Sequence, residues 1–132
     1  MRTFATEIFD IVKGRQVFEK LLVNGICLID EFEKEIKQKK QYISELTTIF
    51  AYMDLYANGS SLPNTKFREI KGSNSAVKRY EFKSKHLRVY VFNIPGGKMV
   101  VMGGYKNTQA ADIRTFHSIV DEYLSETKNR KL

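Results

Sequence analysis

The sequence predicts an α+β fold: a curved antiparallel β-sheet with N-terminal helices packed on one face and a C-terminal helix. Three observations predict it. Apolar residues recur at three- and four-residue steps between Ile29 and Ala57. From Pro63 to Gly103 the period shortens to two, and beyond Thr108 the helical period returns. With 132 residues the chain fits one domain, residues 1–132. A chain of that size buries roughly two-thirds of its unfolded surface, enough for a core without metal or disulfide staples.

The first element is a strand: residues 3–12 are rich in β-branched and aromatic side chains and end in the turn Lys13-Gly14-Arg15. Gln16 to Leu22 reads as a short helical segment, closed by the turn signal Asn24-Gly25. Ile29, Phe32, Ile36, Ile43, Leu46, Phe50, Met53 and Ala57 then form one apolar stripe, which lapses over Lys37-Gln38-Lys39-Lys40-Gln41. A single helix of about thirty residues would overhang a domain this small, so two antiparallel helices joined at the lapse are expected. Asn58-Gly59 closes the second helix.

Residues 64–71 read as a short edge segment and 72–75 as a loop. Val77 to Lys83, Leu87 to Asn93 and Lys98 to Gly103 read as strands, with a turn at Pro95-Gly96-Gly97. The last helix opens near Thr108–Asp112 and carries Ile113, Phe116, Ile119, Val120, Tyr123 and Leu124 on its apolar face; Lys128 to Leu132 read as frayed. Side chains alternate along a strand. Leu87, Val89 and Val91 therefore face the helices, and Arg88, Tyr90 and Phe92 share a second face, basic and aromatic, on which function is expected.

Charge points to the same region. The net charge is +7, which suits an acidic partner. Residues 1–62 contribute −1, residues 63–114 contribute +8, and residues 115–132 contribute nothing. Within that basic stretch Arg79, Lys83, Lys85, His86 and Arg88 surround a single acid, Glu81. Cys27 is the only cysteine, so neither a disulfide framework nor a cysteine-based metal site is expected. The two histidines lack carboxylate or thiol companions at ligand spacing, so no metal is expected. No apolar run approaches the roughly 20 residues that span a bilayer. The first residues lack the order of a signal peptide, and a cytoplasmic location is expected.

The ordered motifs are Gly59, Leu62-Pro63, Lys66-Phe67-Arg68-Glu69-Ile70, Tyr80-Glu81-Phe82-Lys83, Leu87-Arg88-Val89-Tyr90-Val91-Phe92 and Gly103-Gly104-Tyr105-Lys106-Asn107-Thr108. In order and spacing, over about residues 43–124, this set resembles the RelE/ParE superfamily of bacterial toxins, and most closely the phage-type HigB-like toxins. The resemblance implies a RelE-like sheet and the toxin of a type II toxin–antitoxin system, a ribosome-dependent mRNA endonuclease in which a 2′-OH attacks its neighbouring phosphate. It implies a cognate antitoxin, the ribosome and mRNA as partners, and neither a small-molecule cofactor nor a membrane. Lys83 stands where the group has arginine, and Lys106-Asn107 where it has a Lys-Lys pair. Two other readings stay open: a ParE-like gyrase inhibitor that cleaves nothing, and a decayed member that binds RNA or a partner without activity.

Such cleavage needs an in-line nucleophile, a proton acceptor, and stabilisation of charge on the phosphorane and leaving oxygen. Arg88 is the first candidate, since its forked donors suit phosphate; its alternative is a surface pair with Glu81. Lys83 and Lys106 are candidates for charge stabilisation. His86 is a candidate acid or base, or a surface-loop histidine. Tyr105 stacks a base or packs in the core. Lys66, Arg68 and Lys71 are expected at the mouth of the groove, with Arg79, Lys85 and Tyr90 as further RNA contacts. His117 reads as structural or exposed. Gly103-Gly104 is expected to let the sheet bend or a ligand approach.

Overall fold

The computed structural model describes residues 1–73 and 75–130, the side chains of 129 and 130 excepted. The architecture is α+β: an open, mostly antiparallel sheet of seven strands with three helices. In chain order the elements are β1 (Phe4–Ile8), β2 (Val17–Val23), β3 (Ile26–Cys27), α1 (Leu28–Lys37), α2 (Ile43–Ala57), β4 (Phe67–Ile70), β5 (Arg79–Lys83), β6 (Leu87–Ile94), β7 (Gly97–Tyr105) and α3 (Gln109–Arg130). Short 3-10 turns at Lys40–Tyr42 and Lys106–Thr108 precede α2 and α3. The strands lie in the order β1-β2-β7-β6-β5-β4, with β3 paired to β2. Only β2 and β7 run parallel.

Gln16 to Leu22 is not helical, and from Val17 on it belongs to β2. Phe18 enters the core beneath α1 and α2, while Leu21 and Val23 enter the other core, so alternation across a sheet won over a weak helical pattern. Asn24 and Gly25 sit at φ 52° and 78°, the left-handed pair that turns β2 tightly into β3. The lapse at residues 37–41 does separate two helices. Lys128 lies within α3, and residues 131–132 fall outside the described residues, as does Asn74 in the predicted loop.

The larger correction concerns the layers. Leu87, Val89 and Val91 do face α1 and α2, in a core with Phe32, Ile36, Leu46, Ile49 and Met53. Tyr90 and Phe92 do not face solvent: they meet Phe116, Ile119 and Val120 of α3 in a second core. The sheet is therefore covered on both faces. Burying three such α3 side chains contributes about 1.5–3 kcal/mol each, more than an isolated basic surface could offset. Adjacent glycines let both layers close in at one point of β7. A Cβ on Gly103 would stand 2.2 Å from the Phe32 ring of α1, and one on Gly104 would stand 2.1 Å from Asp112 Oδ2 of α3. The space they leave is filled by protein rather than by a ligand.

A candidate active-site cleft at the β5–β6 turn

The basic side chains of the β5–β6 hairpin separate into two groups. Arg88 is 5% exposed, and its Nη1 donates to the carbonyls of Ser84 (2.7 Å) and Leu87 (2.8 Å). Its Nε lies 3.8 Å from Glu81. Glu81 is fully buried and accepts from Arg68 Nε (2.8 Å) and Gln109 Nε2 (2.8 Å), so it ties β4 and the first turn of α3 to the sheet. Arg79 is equally buried, donating to Asp121 (2.6 Å) and to His117 Nδ1 (2.8 Å) on α3. Burial and the Arg79 charge hold the His117 ring below its usual range. The Tyr90 hydroxyl is buried with no hydrogen-bond partner among the described residues, and burial, with Glu81 and Asp112 nearby, pushes it up. Arg79, Arg88 and Tyr90, expected on an open basic face, thus lie buried between layers.

The second group is open. At the end of the sheet beside the α1–α2 junction, Lys39, Tyr42, His86, Tyr105, Lys106 and Asn107 line a cleft of about 460 Å³. Three of these, His86, Tyr105 and Lys106, were among the sequence-predicted catalytic residues. The Lys106 N–H donates to the His86 carbonyl (2.8 Å), which draws the end of β7 against the hairpin turn. His86 Nδ1 is 2.7 Å from Glu45 Oε2, and nothing among the described residues engages its Nε2. Glu45 Oε1 also accepts from the Ser84 hydroxyl (2.5 Å) and the His86 N–H (2.8 Å). Burial pushes the Glu45 carboxyl up, but these bonds outweigh it and hold the group below its usual range. It is therefore ionised and fixes the orientation of the ring.

Across the cleft the Tyr105 hydroxyl donates to Glu35 of α1 and accepts from Lys39 Nζ at 2.9 Å. The Lys39 ammonium also lies 4.6 Å over the Tyr105 ring. Burial and the bond to Glu35 push the Tyr105 phenol up, so it stays protonated; the Tyr105 bond likewise holds the Lys39 ammonium up. Tyr42 stands between the two pairs, its ring centroid 5.5 Å from His86 and 5.9 Å from Tyr105.

The remaining predicted residues surround this cleft or leave it. Lys83 reaches the Asn64 carbonyl (3.4 Å); burial, then the charges of Arg68, Arg88 and Lys106, hold its ammonium below the usual range. Lys85 is exposed on the turn. Lys66 lies 5.1 Å over the Tyr52 ring, and Lys71 pairs with Glu69 at 3.2 Å. Sequence reasoning missed Glu35, Lys39, Tyr42 and Glu45. The only available signal was the lapse at residues 37–41, which marks where two helices turn but not what they turn towards. Among the described residues no cluster of His, Cys, Asp and Glu could hold a metal, and no helix is long and apolar enough to cross a membrane. Comparison of the chain with protein families, with curated proteins and with solved structures gave no match.

Proposed function

We propose that the protein is an endoribonuclease of the RelE/HigB kind, a toxin that cuts mRNA on the ribosome and is held in check by a cognate antitoxin. One observation carries the proposal: the Glu45–His86 pair faces the Lys39–Tyr105 pair across an open, cationic cleft. In this reading His86 Nε2 takes the proton of the 2′-OH as that oxygen attacks the adjacent phosphorus, and Glu45 holds the ring in place. The bond from phosphorus to the 5′-oxygen breaks, leaving a 2′,3′-cyclic phosphate and a 5′-hydroxyl. Tyr105, turning from Glu35, protonates the leaving oxygen. Lys39 and Lys106 stabilise the charge on the phosphorane. Tyr42 offers a ring face on which an unpaired base stacks. Arg88 keeps the hairpin in shape and touches no substrate.

The test is cell-free translation with mapped mRNA ends. Wild type is expected to cut within codons, and His86→Ala and Tyr105→Phe to lose most of the cutting while folding normally. A second reading has its own support, because Glu45 also clamps the Ser84–His86 turn through two bonds unrelated to acid–base chemistry. Arrest of translation without mapped ends would favour that reading, a binding protein that does not cut.

A further inference from the structure

Strand β1 ends the sheet, and its outer edge is open. Thr3 and Phe9 turn their backbone towards β2: the Thr3 carbonyl accepts from the Asn24 N–H at 2.8 Å, and the Phe9 N–H donates to the Phe18 carbonyl at 2.9 Å. The Thr3 N–H donates to the Asn24 side chain at 2.8 Å. In an antiparallel ladder alternate residues point the same way. Thr3, Ala5, Glu7 and Phe9 therefore face β2, and Phe4, Thr6 and Ile8 turn their N–H and C=O groups outward. Ala5, Thr6, Glu7 and Ile8 are all exposed. Between Phe4 and Ile8 there is no proline, no lysine and no bulge to block a further strand. The one charge, Glu7, lies on the α1 side, 3.9 Å from Lys20.

The side chains of Phe4, Thr6 and Ile8 share the α3 face of the sheet. Phe4 packs edge-on against Tyr123 at 5.5 Å, and a groove of about 180 Å³ runs beside the two. Ile8 has no such cover and is 62% exposed.

We propose that this edge pairs with a second copy of the same chain, strand β1 against strand β1, antiparallel about a two-fold axis at Thr6. The register is self-complementary. Thr6 stands opposite Thr6, and Phe4 stands opposite Ile8 of the second copy, so every outward N–H and C=O of Phe4, Thr6 and Ile8 finds a partner. Ile8, exposed in the single chain, then lies against Phe4 at the mouth of the Tyr123 groove of the other copy. The symmetry makes this happen twice. Ala5 meets Glu7, so no like charges oppose each other across the pair. The electrostatics agree: residues 1–62 carry −1, and the +8 of residues 63–114 belongs largely to β4, β5, β6 and the loops that lead into and join them at the far edge, which the pairing keeps apart. A foreign peptide would satisfy the same backbone groups, but the Ile8 side chain that fits beside Phe4 is supplied by the chain itself. One strand and one groove per copy bury less than the roughly 1,200 Å² of a stable complex, so the association is weak and reversible.

The test is sedimentation equilibrium of the full chain from about 1 µM to about 1 mM, with backbone-amide NMR over the same range. A monomer–dimer equilibrium is expected, with concentration-dependent protection at the amides of Phe4, Thr6 and Ile8 and none added at Ala5 or Glu7. Thr6→Pro deletes an outward N–H and leaves the β1–β2 ladder intact, a position where proline is tolerated. It should give a folded monomer throughout, and Ile8→Lys should do the same without touching the backbone. A wild type that is monomeric over the whole range, a dimer unaffected by both substitutions, or protection mapping away from β1 would each overturn the proposal.

Discussion

On the α1/α2 face of the sheet the buried side chains are apolar apart from Lys98, whereas the α3 face buries Arg79, Glu81 and Arg88. The charges of the α3 face are matched with one another, with main-chain carbonyls and with α3. At the open end of the α1/α2 face, by contrast, the His86 ring keeps one nitrogen unengaged among the described residues and Lys106 reaches solvent. Charge that is enclosed and paired orients a helix, and charge left open beside a cleft is available for chemistry. The same hairpin supplies both kinds, separated by side-chain parity at Arg88 and by the turn at His86.

Removing the open histidine tests this contrast most severely. His86→Ala should lower RNA cleavage about 10³-fold, as loss of a positioned acid–base group does, while the urea midpoint stays put. If instead the midpoint collapses and cleavage per folded molecule is kept, His86 belongs with the structural group. The enclosed side comes next. Glu81→Ala strands Arg68, Arg88 and Gln109 and should cost about 3 kcal/mol in urea unfolding; a cost near zero would mean that apolar packing alone holds α3.

Lys98 sharpens the comparison from within the apolar face. It is 4% exposed, donates to the Tyr56 hydroxyl at 2.9 Å and lies over the Tyr56 ring at 4.5 Å, with no carboxylate beside it among the described residues. Burial pushes its ammonium down from 10.5 to about 8. Between those values the unfolded chain binds more protons than the folded one, so stability should rise as pH rises through that window; below it the cost of the buried charge is constant. Lys98→Met should gain about 2 kcal/mol at neutral pH and lose this slope in pH-dependent unfolding. A wild-type curve that is flat over the window would show that the aromatic rings fully compensate the charge. The smallest effect concerns Lys106: Lys106→Ala should weaken RNA binding and reduce the log–log salt slope by about 0.7, one phosphate contact in a single strand. An unchanged slope would place Lys106 outside the contact.

Much of the fold was legible because periodicity reports burial directly. The stripe from Ile29 to Ala57, its break after Ile36 and the alternation along Leu87–Phe92 all correspond to observed elements and to the α1/α2 core. Gln16–Leu22 was misread because seven residues with Val17, Phe18, Leu21 and Leu22 as their apolar members suit a strand or a helical turn equally, and only the ladder with β1 and β7 decides. The candidate site was half legible. His86, Tyr105 and Lys106 stand out as a histidine and its basic, aromatic companions near two turns. Glu45, Glu35, Lys39 and Tyr42 lie 41 to 70 residues from their partners and carry no local pattern.

The sequence alone determined which segments are strands or helices over most of the chain, which residues of each share a face, and that positive charge gathers in residues 63–114, because these depend on composition and on periods of 2 and 3.6. Only the tertiary structure decided which of two alternating faces meets water. A strand sets parity but not cover, and α3 folded over the face of Arg88 and Tyr90 because burying Phe116, Ile119 and Val120 outweighed leaving that face hydrated. By the same physics the α1–α2 turn, brought beside Ser84–His86, converted an unremarked glutamate and lysine into the walls of a cleft.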